Sequence, residues 1–268
     1  KSPGNPISDL IKEKEDKSVE ETLEKIWKEI AQLPQLRILD LSKNGLTRLP
    51  LKWNNLDQLK QLILSQNRLN QLPEEIKELI QLQEVDLDQN AFEDFPDILF
   101  QCNKLKALSL ENTFGYNPKP LPQDWSTLNQ LESLKLSKNN LSDTAFLESI
   151  SALPYLKKLE LQHNKLKKLV KFSHDFEALE ELYLNHNQIT HFPEELSGFS
   201  NLKLLALNDN QISRLPENFE GLETLELLFL QNNELEWLPE DFCQLIQLKQ
   251  LHLNDNKLTG LPVNMSLL

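Results

Sequence analysis

The stretch LRILDLSKNGLTRLP, Leu36 to Pro50, decides the fold of this chain because its pattern returns ten times. Leu36, Leu39 and Leu41 are spaced by three and two residues, and Asn44 follows three residues after the last leucine. This spacing predicts a short strand whose leucines point one way, a turn closed by asparagine, and a return leg at the Leu-Pro pair. One such unit cannot bury its leucines alone, so the copies must stack on one another.

The register of the copies is regular, with a period of 23 residues except across the middle of the chain. The first leucines of the ten copies are Leu36, Leu59, Leu82, Leu105, Leu131, Leu156, Leu179, Leu202, Leu225 and Leu248. The asparagine position holds Asn44, Asn67, Asn90, Thr113, Asn139, Asn164, Asn187, Asn210, Asn233 and Asn256. So many matches at fixed offsets predict a repeat architecture along nearly the whole chain.

The pattern LxxLxLxxNxLxxLP, which runs from about residue 33 to 262, resembles the leucine-rich repeat family. The 23-residue unit and its Leu-Pro-Glu-Glu return leg are similar to the bacterial type, most of all to leptospiral leucine-rich repeat proteins. The resemblance implies an α/β fold, a right-handed solenoid or horseshoe with a parallel sheet on its concave face. We expect residues 1–32 to form a flexible N-terminus and a capping helix, and residues 33–268 to form the solenoid.

Composition excludes several classes of partner. The formal charge is 28 − 41 = −13 and the isoelectric point is near 4.9. A strongly acidic surface repels phosphate backbones and anionic lipid head groups, so nucleic acid is not expected as a partner. No apolar run approaches the roughly 18 to 20 residues of a membrane span, so membrane insertion is not expected either.

The repeat register places the two cysteines. Cys102 takes a position held by leucine in other copies and should be in the core, whereas Cys243 aligns with polar residues and should be exposed. They are six repeats apart, roughly 30 Å at about 5 Å per strand. A disulfide needs Cα atoms within about 7 Å, so the two cannot pair in one chain. An exposed Cys243 would allow two chains to be cross-linked by oxidation.

Both ends of the solenoid need protection, since a terminal repeat exposes core and a strand edge. A capping box at Ser18–Glu21 and apolar residues at helical spacing predict an amphipathic helix over the first repeat. Those apolar residues are Val19, Leu23, Ile26, Trp27, Ile30 and Leu33. A partner-binding helix is the alternative. No obvious polar cap follows Pro262, so we expect further chain there or a homo-oligomer through this edge.

The middle of the chain departs from the pattern. Thr113 replaces asparagine, and three extra residues follow, with Phe114 and Tyr116 among the inserted segment. The insertion predicts a protruding loop, either for binding or as a tolerated bulge. In the fifth copy, Ser142 or Asp143 is placed to cap a helix. Its inward-facing residues would be Ala145, Phe146, Ile150 and Leu153.

Residues between the leucines face the opposite side of the sheet, where packing does not fix their identity. Two groups stand out there. One is acidic and consists of Glu84, Asp86, Asp88 and Glu111. The other is apolar, Tyr183, Leu204, Ala206, Leu227 and Phe229, with a polar rim of Asn185, Asn208, Gln231 and His252. The apolar group is typical of a binding hot spot, although cross-strand packing is the alternative. The acidic group is predicted to be a solvated face.

Two further candidates are weaker. His163, His186 and Asp209 share a column in successive copies and offer a metal ligand set, but residues at strand ends are usually only solvated. Trp237 falls in an exposed column one copy after Arg214. It either stacks on that guanidinium or serves as an interface tryptophan.

The sequence shows no catalytic signature: no nucleophile elbow, no phosphate loop, no metal-spaced cysteines and only 6 glycines. We therefore predict a noncatalytic protein-binding module without a cofactor. The leptospiral resemblance implies a secreted or surface protein that recognises host proteins through its concave face. The alternatives are a cytoplasmic scaffold that regulates a phosphatase or small GTPase, and a self-assembling protein. The repeat itself does not name the partner.

Overall fold

The computed structural model describes residues 25–53, 55–169, 176–192, 199–219 and 221–267. Ten parallel strands form one sheet in chain order, each hydrogen-bonded to its neighbours in sequence. The strands are β1 Ile38–Asp40, β2 Gln61–Ile63, β3 Glu84–Asp86, β4 Ala107–Ser109, β5 Ser133–Lys135, β6 Lys158–Glu160, β7 Glu181–Tyr183, β8 Leu204–Ala206, β9 Leu227–Phe229 and β10 Gln250–His252. The predicted α/β solenoid with a parallel sheet is confirmed.

Strand register follows the leucines. The middle residue of each strand pairs with the middle residue of the next, as Leu39 does with Leu62 and Leu205 with Leu228. Leu62 and Leu228 are fully buried, whereas Leu251 in β10 is half-buried. Because side chains alternate along a strand, the residues on either side of each leucine point away from the core. These residues form the second surface of the sheet, which the sequence predicts to be concave. We call it the outer face of the sheet.

Return legs close the core with bulky side chains and short turns. Trp53 and Trp125 are each fully buried three residues after the proline of a Leu-Pro pair. Their indole Nε1 groups donate hydrogen bonds to the carbonyls of Pro50 and Pro122, at 2.9 and 2.8 Å. Because each indole N–H is hydrogen-bonded, burial of the side chain leaves no unsatisfied donor, and tryptophan is tolerated there.

Helical turns on the return legs are short, as about ten residues per leg allow. The 3₁₀-helices are Glu74–Glu78, Asp97–Gln101, Ser126–Leu128, Glu240–Gln244 and Met265–Leu267. The fifth repeat has an α-helix, α1, at Leu147–Ser151. It follows an Asp143 carboxylate that accepts a hydrogen bond from the Ala145 amide at 3.0 Å. Phe146 and Ile150 are buried as predicted.

Asparagine side chains join each repeat to the one before it. The Asn187 amide nitrogen donates to the carbonyls of Leu161 and Leu184, at 3.0 and 2.9 Å. Its amide oxygen accepts from the backbone N–H of Leu166 at 3.0 Å. The same arrangement recurs at Asn67, Asn90, Asn164, Asn210, Asn233 and Asn256. We call this series the asparagine ladder.

The residue before each ladder position has a positive φ. Ten residues share this conformation, with φ between 49° and 59°: Lys43, Gln66, Gln89, Asn112, Lys138, His163, His186, Asp209, Asn232 and Asp255. A β-branched residue would be strained in the left-handed region, so the column is polar and unbranched. This backbone requirement explains why histidines and charged residues line up there.

Thr113 interrupts the ladder and is fully buried. Its hydroxyl donates to the Leu87 carbonyl at 3.0 Å. Thr113 lacks the amide oxygen that in other repeats accepts a backbone N–H of the preceding repeat. The backbone N–H of Phe92 instead donates to the Thr113 carbonyl at 3.1 Å. Phe92 also forms an isolated parallel bridge with Phe114. Phe114 is 5% exposed and belongs to the core, which corrects the expectation of an aromatic residue on a protruding loop.

Cys102 is buried as predicted, but the prediction of an exposed Cys243 is wrong. Cys243 lies in the 3₁₀-helix Glu240–Gln244, which contacts the 3₁₀-helix Met265–Leu267 of the next return leg. Burial, together with the negative charge of Glu240, raises the pKa of the Cys243 thiol. Both cysteines are free thiols, and the basis for a Cys243 cross-link between chains is removed.

At the N-terminal end, residues 25–30 are α-helical. Trp27 packs edge-on against Trp53 with ring centroids 4.6 Å apart, and its Nε1 donates to the Lys52 carbonyl at 2.6 Å. Ile26 and Leu33 are 46% and 51% exposed, so the predicted inward face is narrower than expected. The capping box at Ser18–Glu21, Val19 and Leu23 lie outside the described residues.

Charged side chains alternate along the position before each strand. From repeat four to repeat ten this position holds Lys106, Glu132, Lys157, Glu180, Lys203, Glu226 and Lys249. Ion pairs join Lys106 to Glu132 at 2.8 Å and Lys249 to Glu226 at 2.7 Å. The side chains are substantially exposed, so solvent screens each pair and its contribution to stability is small. We call this column the charge ladder.

We predict that Asn187→Ala lowers the free energy of unfolding by about 2 to 4 kcal/mol, because it leaves the Leu166 N–H unpaired in the core and removes one hydrogen bond from each of two buried carbonyls. Those carbonyls, of Leu161 and Leu184, keep a second bond from the asparagines of the neighbouring repeats. Asn44→Ala is the matched control. The Asn44 side chain is exposed and donates only within its own turn, to Leu41 and Ser42. Its loss should cost about 1 kcal/mol or less. Equal costs in urea denaturation would contradict the role assigned to the ladder.

Candidate partner-binding surface

Five side chains of repeats seven to nine form a continuous apolar patch on the outer face. We call the group Tyr183, Leu204, Ala206, Leu227 and Phe229 the apolar patch. Leu204 pairs with Leu227, and Ala206 pairs with both Tyr183 and Phe229, so the five are adjacent across β7, β8 and β9. Ala206 is 4% exposed and the other four are half-buried. The structure thus brings together the apolar residues that the sequence columns singled out.

A polar rim surrounds the patch. The imidazole ring of His252 stacks on Phe229, with centroids 4.9 Å apart. Asn185, Asn208 and Gln231 lie two residues after the last residue of β7, β8 and β9. The amide oxygen of Gln231 is buried, and within the described part of the chain it has no hydrogen-bond partner. A buried unpaired acceptor is costly, so turning the Gln231 side chain outward to meet a donor from a partner would be favourable.

Tyr183 lies at the polar margin of the patch. Its hydroxyl donates to the Glu181 carboxylate at 3.0 Å. Lys158 Nζ lies 5.2 Å from the Tyr183 ring centroid, 3.1 Å from Glu160 and 3.7 Å from Glu181. Burial, and then the hydrogen bond and negative charge of Glu181, raise the pKa of Tyr183 to about 12. The phenol therefore stays protonated at physiological pH, and a lysine is held between one ring and two carboxylates.

The acidic group of repeats three and four is an ion-pair network and not the freely solvated face that we predicted. Lys135 Nζ lies 3.0 Å from Asp88 and 2.5 Å from Glu111. Lys138 lies 2.6 Å from Glu111. The carboxylate side chains of Asp88 and Glu111 are only 16% and 15% exposed. Glu84 remains exposed and Asp86 is half-buried, so the network neutralises only part of the group.

The pKa values of two carboxyl groups in the acidic group shift in opposite directions. Burial raises the pKa of Asp86. Burial would also raise the pKa of Glu111, but hydrogen bonds and positive charge from Lys135 and Lys138 hold it below its usual value. Sequence reasoning missed this network, although Lys135 stood in the same set of columns as the acids.

The structure also locates the weaker candidates from the sequence. The rings of His163 and His186 stack at 4.1 Å, and His186 Nε2 lies 3.5 Å from Asp209. Over the described ranges, no group of three His, Cys, Asp or Glu side chains is arranged to hold a metal ion. Tyr116 is 89% exposed and Trp237 is 38% exposed. Homo-oligomerisation through the C-terminal edge stays a prediction.

Comparison with known families identifies the repeat. A leucine-rich repeat region model matches residues 18–197, and a second leucine rich repeat model matches residues 200–258. The first match spans more than half of the chain, so the chain belongs to the leucine-rich repeat family. This confirms the resemblance drawn from the repeated pattern. Members of this family with this fold are typically noncatalytic protein-interaction modules.

Solved structures share the fold. A TDR receptor is 28% identical, with a TM-score of 0.68 over 87% of this chain and 41% of the receptor chain. The plant peptide hormone receptor RGFR1, in complex with RGF2, is 25% identical, with a TM-score of 0.52 over 87% of this chain and 45% of its own. A leucine-rich repeat protein of Leptospira interrogans is 26% identical over 87% and 82%, with a TM-score of 0.40.

This chain spans less than half the length of either receptor chain. No significant match was found among curated proteins. Within the described ranges, no helix has the length and apolar character needed to cross a membrane.

We predict that Lys135→Met lowers the free energy of unfolding by about 1 to 3 kcal/mol at neutral pH, because Asp88 loses its cation in a half-buried setting and Glu111 keeps only the more exposed Lys138. The pKa of Glu111 is lowered on folding, so the contribution of the pair is complete above the usual carboxyl pKa and is lost as pH falls through the lowered value.

The difference between wild type and variant should therefore shrink only below about pH 4. The measurement is urea denaturation at several pH values. Lys157→Met is the control, since Lys157 pairs with Glu132 at 3.5 Å on an exposed surface and should cost less than about 1 kcal/mol. A Lys135→Met cost that does not change with pH would contradict the network.

Proposed function

We propose that this chain is a noncatalytic protein-binding module that engages its partner with the apolar patch on the outer face of the sheet. The observation that carries the proposal is the half-burial of Leu204, Leu227 and Phe229 on a face that the core does not use. Elsewhere on this face the equivalent positions are mostly charged or polar, as at Asp40 and Glu160. The apolar exceptions are Ile38, Ile63 and Ala107. Apolar contacts with a partner would remove the exposed part of the patch from water.

The rim supports the same proposal. A binding hot spot combines desolvated apolar anchors with surrounding polar groups that fix orientation. Gln231 offers an unpaired acceptor beside Leu227 and Phe229, and the stacked His252 bounds the patch on the β10 side. A partner donor to Gln231 would satisfy a group that folding leaves unpaired.

The proposed partner is a protein or peptide. RGFR1, to which this chain is similar, was solved in complex with RGF2. Likeness to receptors and the bacterial form of the repeat favour a secreted or cell-surface location with a host protein as ligand. A cytoplasmic scaffold is the alternative location for the same binding surface. The capture experiment below separates the two by the source of the bound protein.

We predict that Leu227→Ser/Phe229→Ser weakens partner affinity about thirtyfold or more, because a central hot spot contributes at least about 2 kcal/mol. Wild type and variant would be used to capture proteins from an extracellular-matrix and serum preparation and from a cytosolic lysate. The captured protein would then be purified and its affinity measured. The preparation that yields it decides the location.

The matched control is Gln61→Ser/Ile63→Ser, which changes the same two strand positions in repeat two. Circular dichroism and denaturation would show that all variants are folded. Affinity should be unchanged in this control. Equal affinity of the patch variant and wild type for a purified partner would overturn the assignment of the surface.

A second prediction separates binding from stability at Gln231. Replacing Gln231 by Leu removes an unpaired buried acceptor, so the free energy of unfolding should stay equal or rise by up to about 1 kcal/mol. Affinity for the captured partner should fall about fivefold or more, since the partner's donor loses its acceptor. A variant that is both less stable and unchanged in affinity would contradict the role given to the rim.

A further inference from the structure

Trp237 differs from the other three tryptophans of the chain. Trp27, Trp53 and Trp125 are 5% exposed or less, and each indole N–H donates to a backbone carbonyl. Trp237 is 38% exposed, and among the described residues its N–H has no acceptor. Exposed tryptophan is rare on surfaces that only face water and is enriched where partners dock.

Acidic residues share an open groove with this indole. An open groove of about 530 Å³ lies between the return legs of repeats eight and nine. Its lining consists of Glu217, Trp237, Leu238, Pro239, Glu240 and Asp241. Three of these residues are acids and none is basic, and Arg214, the counterpart of Trp237 one repeat earlier, is not part of the lining. Glu240 is partly committed, since it accepts from the Val263 N–H at 3.0 Å.

The chain holds a lysine with the same set of groups elsewhere. Lys158 sits over the Tyr183 ring and beside the carboxylates of Glu160 and Glu181. The groove at Trp237 offers an aromatic face and the carboxylates of Glu217 and Asp241, and among the described residues its lining holds no cation. The two sites therefore differ chiefly in whether the chain itself supplies the cation.

We infer that the Trp237 groove docks a lysine or arginine side chain from a basic segment of a partner protein. The indole face attracts the cation through its quadrupole, and the carboxylates pair with it. The net charge of −13 draws a basic segment toward the surface at long range. This site lies on return legs and not on the strands, so it is independent of the proposed function at the apolar patch.

The test follows the indole N–H signal of Trp237 by ¹⁵N NMR, assigned with Trp237→Phe, while an acetylated Gly-Arg-Arg-Gly amide peptide is titrated into the full chain. The probe for comparison is the same peptide with citrulline, which keeps the shape of arginine and removes its charge. We expect a saturable shift of the Trp237 signal alone among the four indoles. The arginine peptide should bind at least about threefold more tightly than the citrulline peptide.

Glu217→Gln/Asp241→Asn keeps the reporter and removes two carboxylates, and it should weaken binding at least about threefold. The control Asp57→Asn/Glu78→Gln removes two exposed acids elsewhere and should leave binding unchanged. Raising the salt concentration should weaken binding in the wild type.

The inference is overturned if the Trp237 signal does not move, if citrulline and arginine peptides shift it equally, or if the carboxylate variant binds as the wild type does. Leu227→Ser/Phe229→Ser should bind the arginine peptide normally. The two binding surfaces can therefore fail independently.

Discussion

The asparagine ladder is the interaction on which the rest of this structure depends. Each strand has only three residues, and backbone bonds between repeats continue beyond it, as from Lys43 to Ser65 and from Arg68 to Leu46. One buried amide, as at Asn187, spans two repeats and satisfies carbonyls and an N–H that the tight turn would otherwise leave unpaired. Because the ladder fixes the turn, it also fixes the outer face, where the side chains of neighbouring strands stack in columns.

Periodicity made the fold and the columns predictable. The buried leucines recur once in each repeat. Their spacing in the sequence therefore predicts the strand register, the strand order and the adjacency of the apolar-patch residues. The helix in repeat five was likewise evident from the spacing of Phe146 and Ile150. The sequence therefore predicts the structure best at the positions that the repeat constrains. What binds at the patch is a different matter, since the repeat leaves the outer face free.

Departures from periodicity were not predictable in the same way. Phe114 is in the core, and its backbone N–H donates to the Asn139 amide oxygen as that of Leu46 donates to Asn67, although Phe114 comes one residue earlier in its turn. Nothing in the inserted segment alone reveals that path. Cys243 is buried by the next return leg, which alignment to other copies does not report. The Lys135 network spans three strands, from Asp88 to Glu111 and Lys138, so it depends on side-chain reach more than on register.

Because charges alternate along the charge ladder, a change in length by one repeat and a change by two repeats have different electrostatic consequences. Excision of one repeat, such as the 23 residues from Lys203 to Leu225, would place Glu226 directly beside Glu180. Like charges would then meet at the junction, with a penalty similar in size to the small gain of each pair. Excision of two adjacent repeats would restore alternation and leave the column unbroken. Along this arm, growth and shrinkage by pairs of repeats is electrostatically neutral, and a change by a single repeat is not.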